Sequence, residues 1–185
     1  MNRGFCILAE NNHKTDYVKQ AYALAISIHK HNNENVSLIT DDAVPDDYMH
    51  AFDKIIPIPW GNLAKNSDWK IENRWKIYHL SPYEYTIVMD ADMLILENIK
   101  DWWYRCYNHA IAFTTDVMTY RGDTVTTNYY RKTFVANNLP NLYSGLYYFK
   151  KCDIAKEFFT LVEIISKNWQ DFYRMFSPKK KQPWQ

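Results

Sequence analysis

Short apolar runs alternate with stretches of helical periodicity from the first residues of this chain onward, and few folds accept that order. Gly4 to Ala9 reads as a buried strand. The segment from about Thr15 to His31 follows, with Val18, Ala21, Ala25 and Ile28 at helical spacing. Val36 to Thr40 is a second strand, Pro45-Asp46-Asp47 opens a short helix, and Lys54 to Ile58 is a third strand closed by prolines. A polar loop through Asn66-Ser67-Asp68 leads to helical spacing over Ile71 to Leu80, which stops at Ser81-Pro82. The strand Thr86 to Met89, a helix over Ile99 to Tyr107 and a strand over Ala110 to Thr114 come next. Asp116 to Asn138 is long, polar and rich in tyrosine, the character of a functional loop. Leu146 to Phe149 is a further strand, Asp153 caps a helix running to about Trp169, and Ser177 to Gln185 forms an irregular basic tail. Such alternation predicts an α/β sandwich with a mostly parallel central sheet and helices on both faces. At 185 residues the chain makes one domain, over residues 1–176.

In open sheets of this kind ligands sit beyond the carboxyl ends of the strands. Those exits are Ala9-Glu10-Asn11-Asn12, Thr40-Asp41-Asp42, Asp90-Ala91-Asp92 and Thr114-Thr115-Asp116. The third is the most constrained, because Asp90 and Asp92 follow the apolar run Thr86-Ile87-Val88-Met89 and precede Met93-Leu94-Ile95-Leu96. Residues two apart in an extended chain project to one side, and two anions beside a core are costly without a compensating cation or donors. Magnesium or manganese suits carboxylate oxygens and keeps positions open for substrate phosphates. The first helix also offers its amino-terminal amides to the same rim. Glycine is confined to Gly4, Gly61, Gly122 and Gly145, so neither a dinucleotide fingerprint nor a P-loop is present.

Composition narrows the classes further. With 22 basic and 21 acidic residues the net charge is +1, and the only basic run is Lys179-Lys180-Lys181, which argues against nucleic acid as a partner. Cys6, Cys106 and Cys152 lack disulfide or zinc spacing and fit reduced thiols in a cytoplasmic protein. No apolar run approaches a membrane span. His29 and His31 stand two apart on a helix and diverge, His50, His79 and His109 lack carboxylate company, and only His13 lies beside the inferred crevice.

The segments Phe5-Cys6-Ile7-Leu8-Ala9-Glu10-Asn11-Asn12, Glu72-Asn73-Arg74-Trp75-Lys76-Ile77-Tyr78, Val88-Met89-Asp90-Ala91-Asp92 and Tyr143-Ser144-Gly145-Leu146-Tyr147-Tyr148-Phe149 occur in that order over most of the chain. Together they resemble nucleotide-sugar glycosyltransferases of the GT-A fold, the group with glycogenin and bacterial galactosyltransferases, and within it viral and bacteriophage members. The resemblance implies a Rossmann-like sandwich and transfer of a sugar from a nucleoside-diphosphate sugar, UDP-sugar first, to an acceptor that is a glycan, protein or small molecule. A viral member would work in the host cytoplasm.

It further implies that Ala9, Glu10, Asn11, Asn12 and Tyr17 hold base and ribose, with Asp41, Ala91, Ser144 and Gly145 completing the donor site. Arg74 approaches the phosphates or sugar, and Asp90 and Asp92 carry manganese or magnesium. Asp116 and the tyrosines after it are candidates for contact with donor sugar or acceptor, Asp116 being the catalytic candidate. The family's downstream histidine ligand has no counterpart before Gln185, and Tyr143 stands where an asparagine is frequent. Either the chain is truncated, or two carboxylates, waters and the donor hold the metal. A catalytically incomplete nucleotide-sugar-binding domain is the alternative. A haloacid-dehalogenase-type phosphotransferase fits less well, since its D-x-D closes the first strand, and a nucleotidyltransferase would need glycines where Glu10-Asn11-Asn12-His13 stands.

Overall fold

A computed structural model describes residues 2–65, 71–119, 121–124, 136 and 138–176. The polar loop at Asn66-Ser67-Asp68, most of the tyrosine-rich loop and the tail from Ser177 lie outside the described residues. Six strands form one sheet: β1 (Arg3–Leu8), β2 (Asn35–Ile39), β3 (Lys54–Ile56), β4 (Tyr85–Asp90), β5 (Ile111–Thr114) and β6 (Tyr143–Lys150). Their spatial order is β3-β2-β1-β4-β6-β5. The first four pair in parallel, while β6 runs antiparallel to both β4 and β5, so β5 points the same way as β4. The expected mostly parallel α/β sandwich is present, and β6 is its single reversed strand among the described residues.

The two-residue side-chain period divides the core. Phe5, Ile7, Ile87, Met89 and Tyr148 pack on one face under α1 (Tyr17–His31) and α4 (Lys100–Cys106), against Val18, Leu24, Ile28 and Trp103. Cys6, Val88, Tyr147 and Phe149 pack on the other face, under α3 (Ile77–Leu80) and α5 (Asp153–Lys167), against Ile77, Tyr78 and Phe159. The short α2 (Asp46–Met49) links β2 to β3, and α6 (Trp169–Phe176) follows α5. Among the described residues no helix is long and apolar enough to cross a membrane.

Two local expectations are corrected. Ile71 to Leu80 is not one helix: a turn runs into a 3-10 turn at Arg74–Lys76, and only Ile77–Leu80 is α-helical. The serine and proline that end it leave too few residues to close further turns. Asp153 is the first residue of α5 rather than its cap, a position taken by Cys152. That helix stops at Asn168, whose side-chain amide donates to the Ile164 carbonyl and meets one of the terminal acceptors.

Candidate active site

β1 and β4 end side by side, with Leu8 opposite Asp90. Beyond their carboxyl ends lies a cleft of about 220 Å³, bordered by Glu10, Tyr17, Arg74, Asp90, Asp92 and Ser144. Leu8, Ile71, Ile77, Val88 and Tyr147 supply its apolar floor and walls. The loop from β1 to α1 is fixed by its own polar groups. Asn11 donates its amide to Asp42 and accepts from Val18 N, and Asn12 accepts from Lys14 N and Thr15 N. Asp16 caps α1 by accepting from Lys19 N. Tyr17 therefore enters the cleft from the first residue of a capped helix.

Glu10 is 4% exposed. One carboxylate oxygen accepts from Asn73 Nδ2 at 2.8 Å, while Oε2 has no hydrogen-bond partner, an expensive arrangement that a ligand donor would relieve. Asn73 also donates to Asn62 Oδ1, and Asn62 donates to Asp41 Oδ2. Asp41 accepts from Ile58 N as well, so it braces the loop after β3 and does not border the cleft. Lys76 is 1% exposed and donates to the Gly61 carbonyl, while Arg74 reaches Asp90. Burial lowers its pKa, against the pull of Glu10 and Asp41.

Asp90 and Asp92 both border the cleft, but not through strand alternation as expected. β4 ends at Asp90, and a turn closed by Met93 N on the Asp90 carbonyl carries Asp92, which is exposed. Arg74 Nη2 donates to Asp90 Oδ1 at 2.6 Å, and its Nη1 donates to Ser144 Oγ at 3.3 Å. Burial raises the Asp90 pKa above the ordinary carboxyl value, the Arg74 charge and hydrogen bond oppose that, and Asp92 adds to it. Gly145 provides the room: a Cβ there would stand 2.7 Å from Asp90 Oδ2.

In kind, this donor set suits a hard divalent cation that keeps water and phosphate ligands. It supplies two carboxylates, and among the described residues no group of three or more His, Cys, Asp or Glu side chains converges on a metal position. Ala91 borders the cleft beside them, whereas Ala9 is buried in the core and binds the Ile39 carbonyl through its amide. Asp116 is set apart from this cluster. It is exposed, left-handed at φ 54°, and leaves β5, which β6 separates from β4. Two strand spacings amount to about 10 Å. Sequence reasoning passed over Asn73 and Tyr147 as site residues. Asn73 sits next to Arg74, and Tyr147 alternates with Gly145 on β6, which are the signals that mark them.

No protein-family model and no curated protein matches the chain in sequence. Solved structures match in fold. The galactosyltransferase LgtC, solved with donor and acceptor sugar analogs, superposes with a TM-score of 0.60 at 12% identity, over 92% of this chain and 65% of that one. The glycosyltransferase GlyE of Streptococcus pneumoniae TIGR4 gives 0.55 at 12% identity, over 98% of this chain and 41% of that one. Mouse xyloside xylosyltransferase 1 gives 0.55 at 11% identity, over 97% and 83%. The chain thus spans less than two thirds of the length of the first two, and its architecture is the GT-A glycosyltransferase fold.

Proposed function

We propose that this chain is a glycosyltransferase that takes a sugar from a nucleoside-diphosphate donor, UDP-sugar first, and passes it to an acceptor. The observation that carries the reading is the convergence of Asp90, Asp92 and Arg74 on one cleft at the carboxyl edge of a GT-A sheet. Asp90 and Asp92 would hold manganese or magnesium, which when bound neutralises the charge gathering on the departing diphosphate. Arg74 is set by Asp90 and Ser144 so that its guanidinium borders the cleft, ready for a charge-assisted contact to the same group. Glu10 keeps a buried, unpartnered carboxylate oxygen for an N–H of the base, and Tyr17 offers a ring at the cleft wall. Apolar Leu8, Ile77 and Val88 beneath the site lower the local dielectric, which strengthens each of these contacts.

A thermal-shift panel of nucleotide sugars with and without manganese, on the wild type and Asp92→Ala, tests the reading. A ligand that binds only the folded form raises the melting temperature. Stabilisation by one donor that needs both the metal and Asp92 is the expected result. No metal-dependent shift with any donor refutes it. Incubation of the stabilising donor with manganese then separates a transferase from a binding domain, because only the former hands the sugar to an acceptor hydroxyl or to water and releases the nucleoside diphosphate.

A further inference from the structure

The opposite edge of the sheet holds a second cavity, of about 210 Å³, lined by Arg3, Tyr85, Trp103, Tyr104, Tyr107 and Tyr148. Tyr85 opens β4 and Asp90 closes it, so five residues of extended chain, about 16 Å, separate this cavity from the cleft. Its walls are aromatic and partly open: Tyr104 is 65% exposed and Tyr107 41%. Tyr107 stacks on Tyr85 with ring centroids 5.2 Å apart. A floor of buried aromatic side chains lies below, and it is not polar-neutral. Trp103 Nε1 and the Tyr148 hydroxyl, on residues 4% and 2% exposed, have no hydrogen-bond partner. Buried indole N–H and phenol groups ordinarily find one, so each calls for an explanation.

The neutral polar groups at this cavity select the ligand. Arg3 is the only cation among the described lining residues, and its guanidinium is already paired with Glu34, with Nε donating at 2.9 Å, while it lies over the Trp103 ring. Lys150 Nζ stands just outside, 5.6 Å from the Tyr85 ring and 5.9 Å from the Tyr107 ring, but the unmet groups on the floor are an indole N–H and a phenol, which call for neutral oxygen partners. An alkyl chain would leave the Trp103 and Tyr148 polar atoms unmet. A flat C–H face that also carries hydroxyl oxygens matches both the aromatic walls and these neutral groups. We propose that this cavity binds a single pyranose ring of a neutral carbohydrate, with the ring face on Tyr104 and Tyr107 and its oxygens toward Trp103 and Tyr148. The choice of a sugar rests on the lining alone and is independent of the reaction proposed for the cleft.

Saturation-transfer NMR and calorimetric titration with the methyl glycosides of glucose, galactose, mannose and N-acetylglucosamine test the site. At least one glycoside is expected to bind. Tyr104→Ala, at a position two thirds exposed and so harmless to folding, should weaken it tenfold or more, and Trp103→Phe, which keeps a ring and removes the N–H, several-fold. Saturating UDP with manganese, and Asp92→Ala, should leave it unchanged. Absence of binding by all four glycosides, displacement by UDP, or full affinity in Tyr104→Ala would overturn the proposal. A Trp103→Phe chain that fails to fold leaves the Tyr104 and UDP comparisons to decide. Loss of the nucleotide response with glycoside binding retained would sink the cleft reading and spare this one.

Discussion

Gly145→Ala probes how tightly the acidic end of β4 is held. The added Cβ would lie 2.7 Å from Asp90 Oδ2, 2.7 Å from Tyr143 Cε1 and 3.0 Å from Met93 Cε. Ordinary contact begins near 3.4 Å, so the first two must each retreat by 3.4 − 2.7 = 0.7 Å. Gly145 lies in a strand without a left-handed φ, so alanine suits the backbone and gains about 0.4–1 kcal/mol from the unfolded state. Overpacking costs about 1–3 kcal/mol, which leaves a net loss of roughly 1–2 kcal/mol and a Tm fall of about 2–8 °C for a chain of this size. The carboxylate moves as well, and a displacement near 1 Å in a binding constellation costs on the order of a hundredfold. Calorimetry gives the first quantity. The manganese-dependent shift produced by the stabilising donor gives the second, and it is expected to disappear. An unchanged Tm together with a donor shift of wild-type size would refute the reasoning, by showing that Asp90 swings aside freely.

Other substitutions separate stability from binding. Asp92→Ala, at an exposed turn position, should change the apo melting temperature by no more than about 0.5 kcal/mol equivalent while abolishing the metal-dependent shift. Asp90→Asn should stabilise the apo protein at neutral pH. The folded chain holds the Asp90 proton more tightly than the unfolded chain, so stability is greatest below the ordinary carboxyl pKa of 3.8 and falls as pH rises through the raised folded value. The variant's advantage in melting temperature should therefore shrink toward pH 3, and an advantage that is flat with pH would contradict the assignment. Phe159→Ala, at a 3% exposed ring stacked 4.8 Å from Tyr78, should cost about 3–5 kcal/mol by denaturant titration, since α5 covers its sheet face largely through that ring.

β1, β2 and β4 were legible because each is a largely apolar run ended by polar exits, and parallel strands buried on both faces must read that way. The direction of β6 was not legible. Tyr143 to Lys150 has the same pattern whichever way it runs, and only pairing with β4 decides. The stretch Ile71 to Leu80 misled because Ile71, Trp75 and Tyr78 have helical spacing, while the backbone closes in shorter turns that send Arg74 to Asp90 and bury Lys76. The acidic pair was found at the right place for a partly wrong reason, since a turn and not the strand pleat brings Asp92 to the cleft. The bare oxygen of Glu10 left no mark in the sequence, because it depends on Asn73, more than sixty positions away, occupying the other one.

The reversed strand also shapes how the molecule comes off the ribosome. Until Lys150 has emerged, β4 has a partner on one side only, and its other edge presents unpaired amides and carbonyls along an apolar ribbon. A nascent chain paused in the stretch between β5 and β6 thus still carries that bare edge, which makes this interval the one in which a chaperone would matter most.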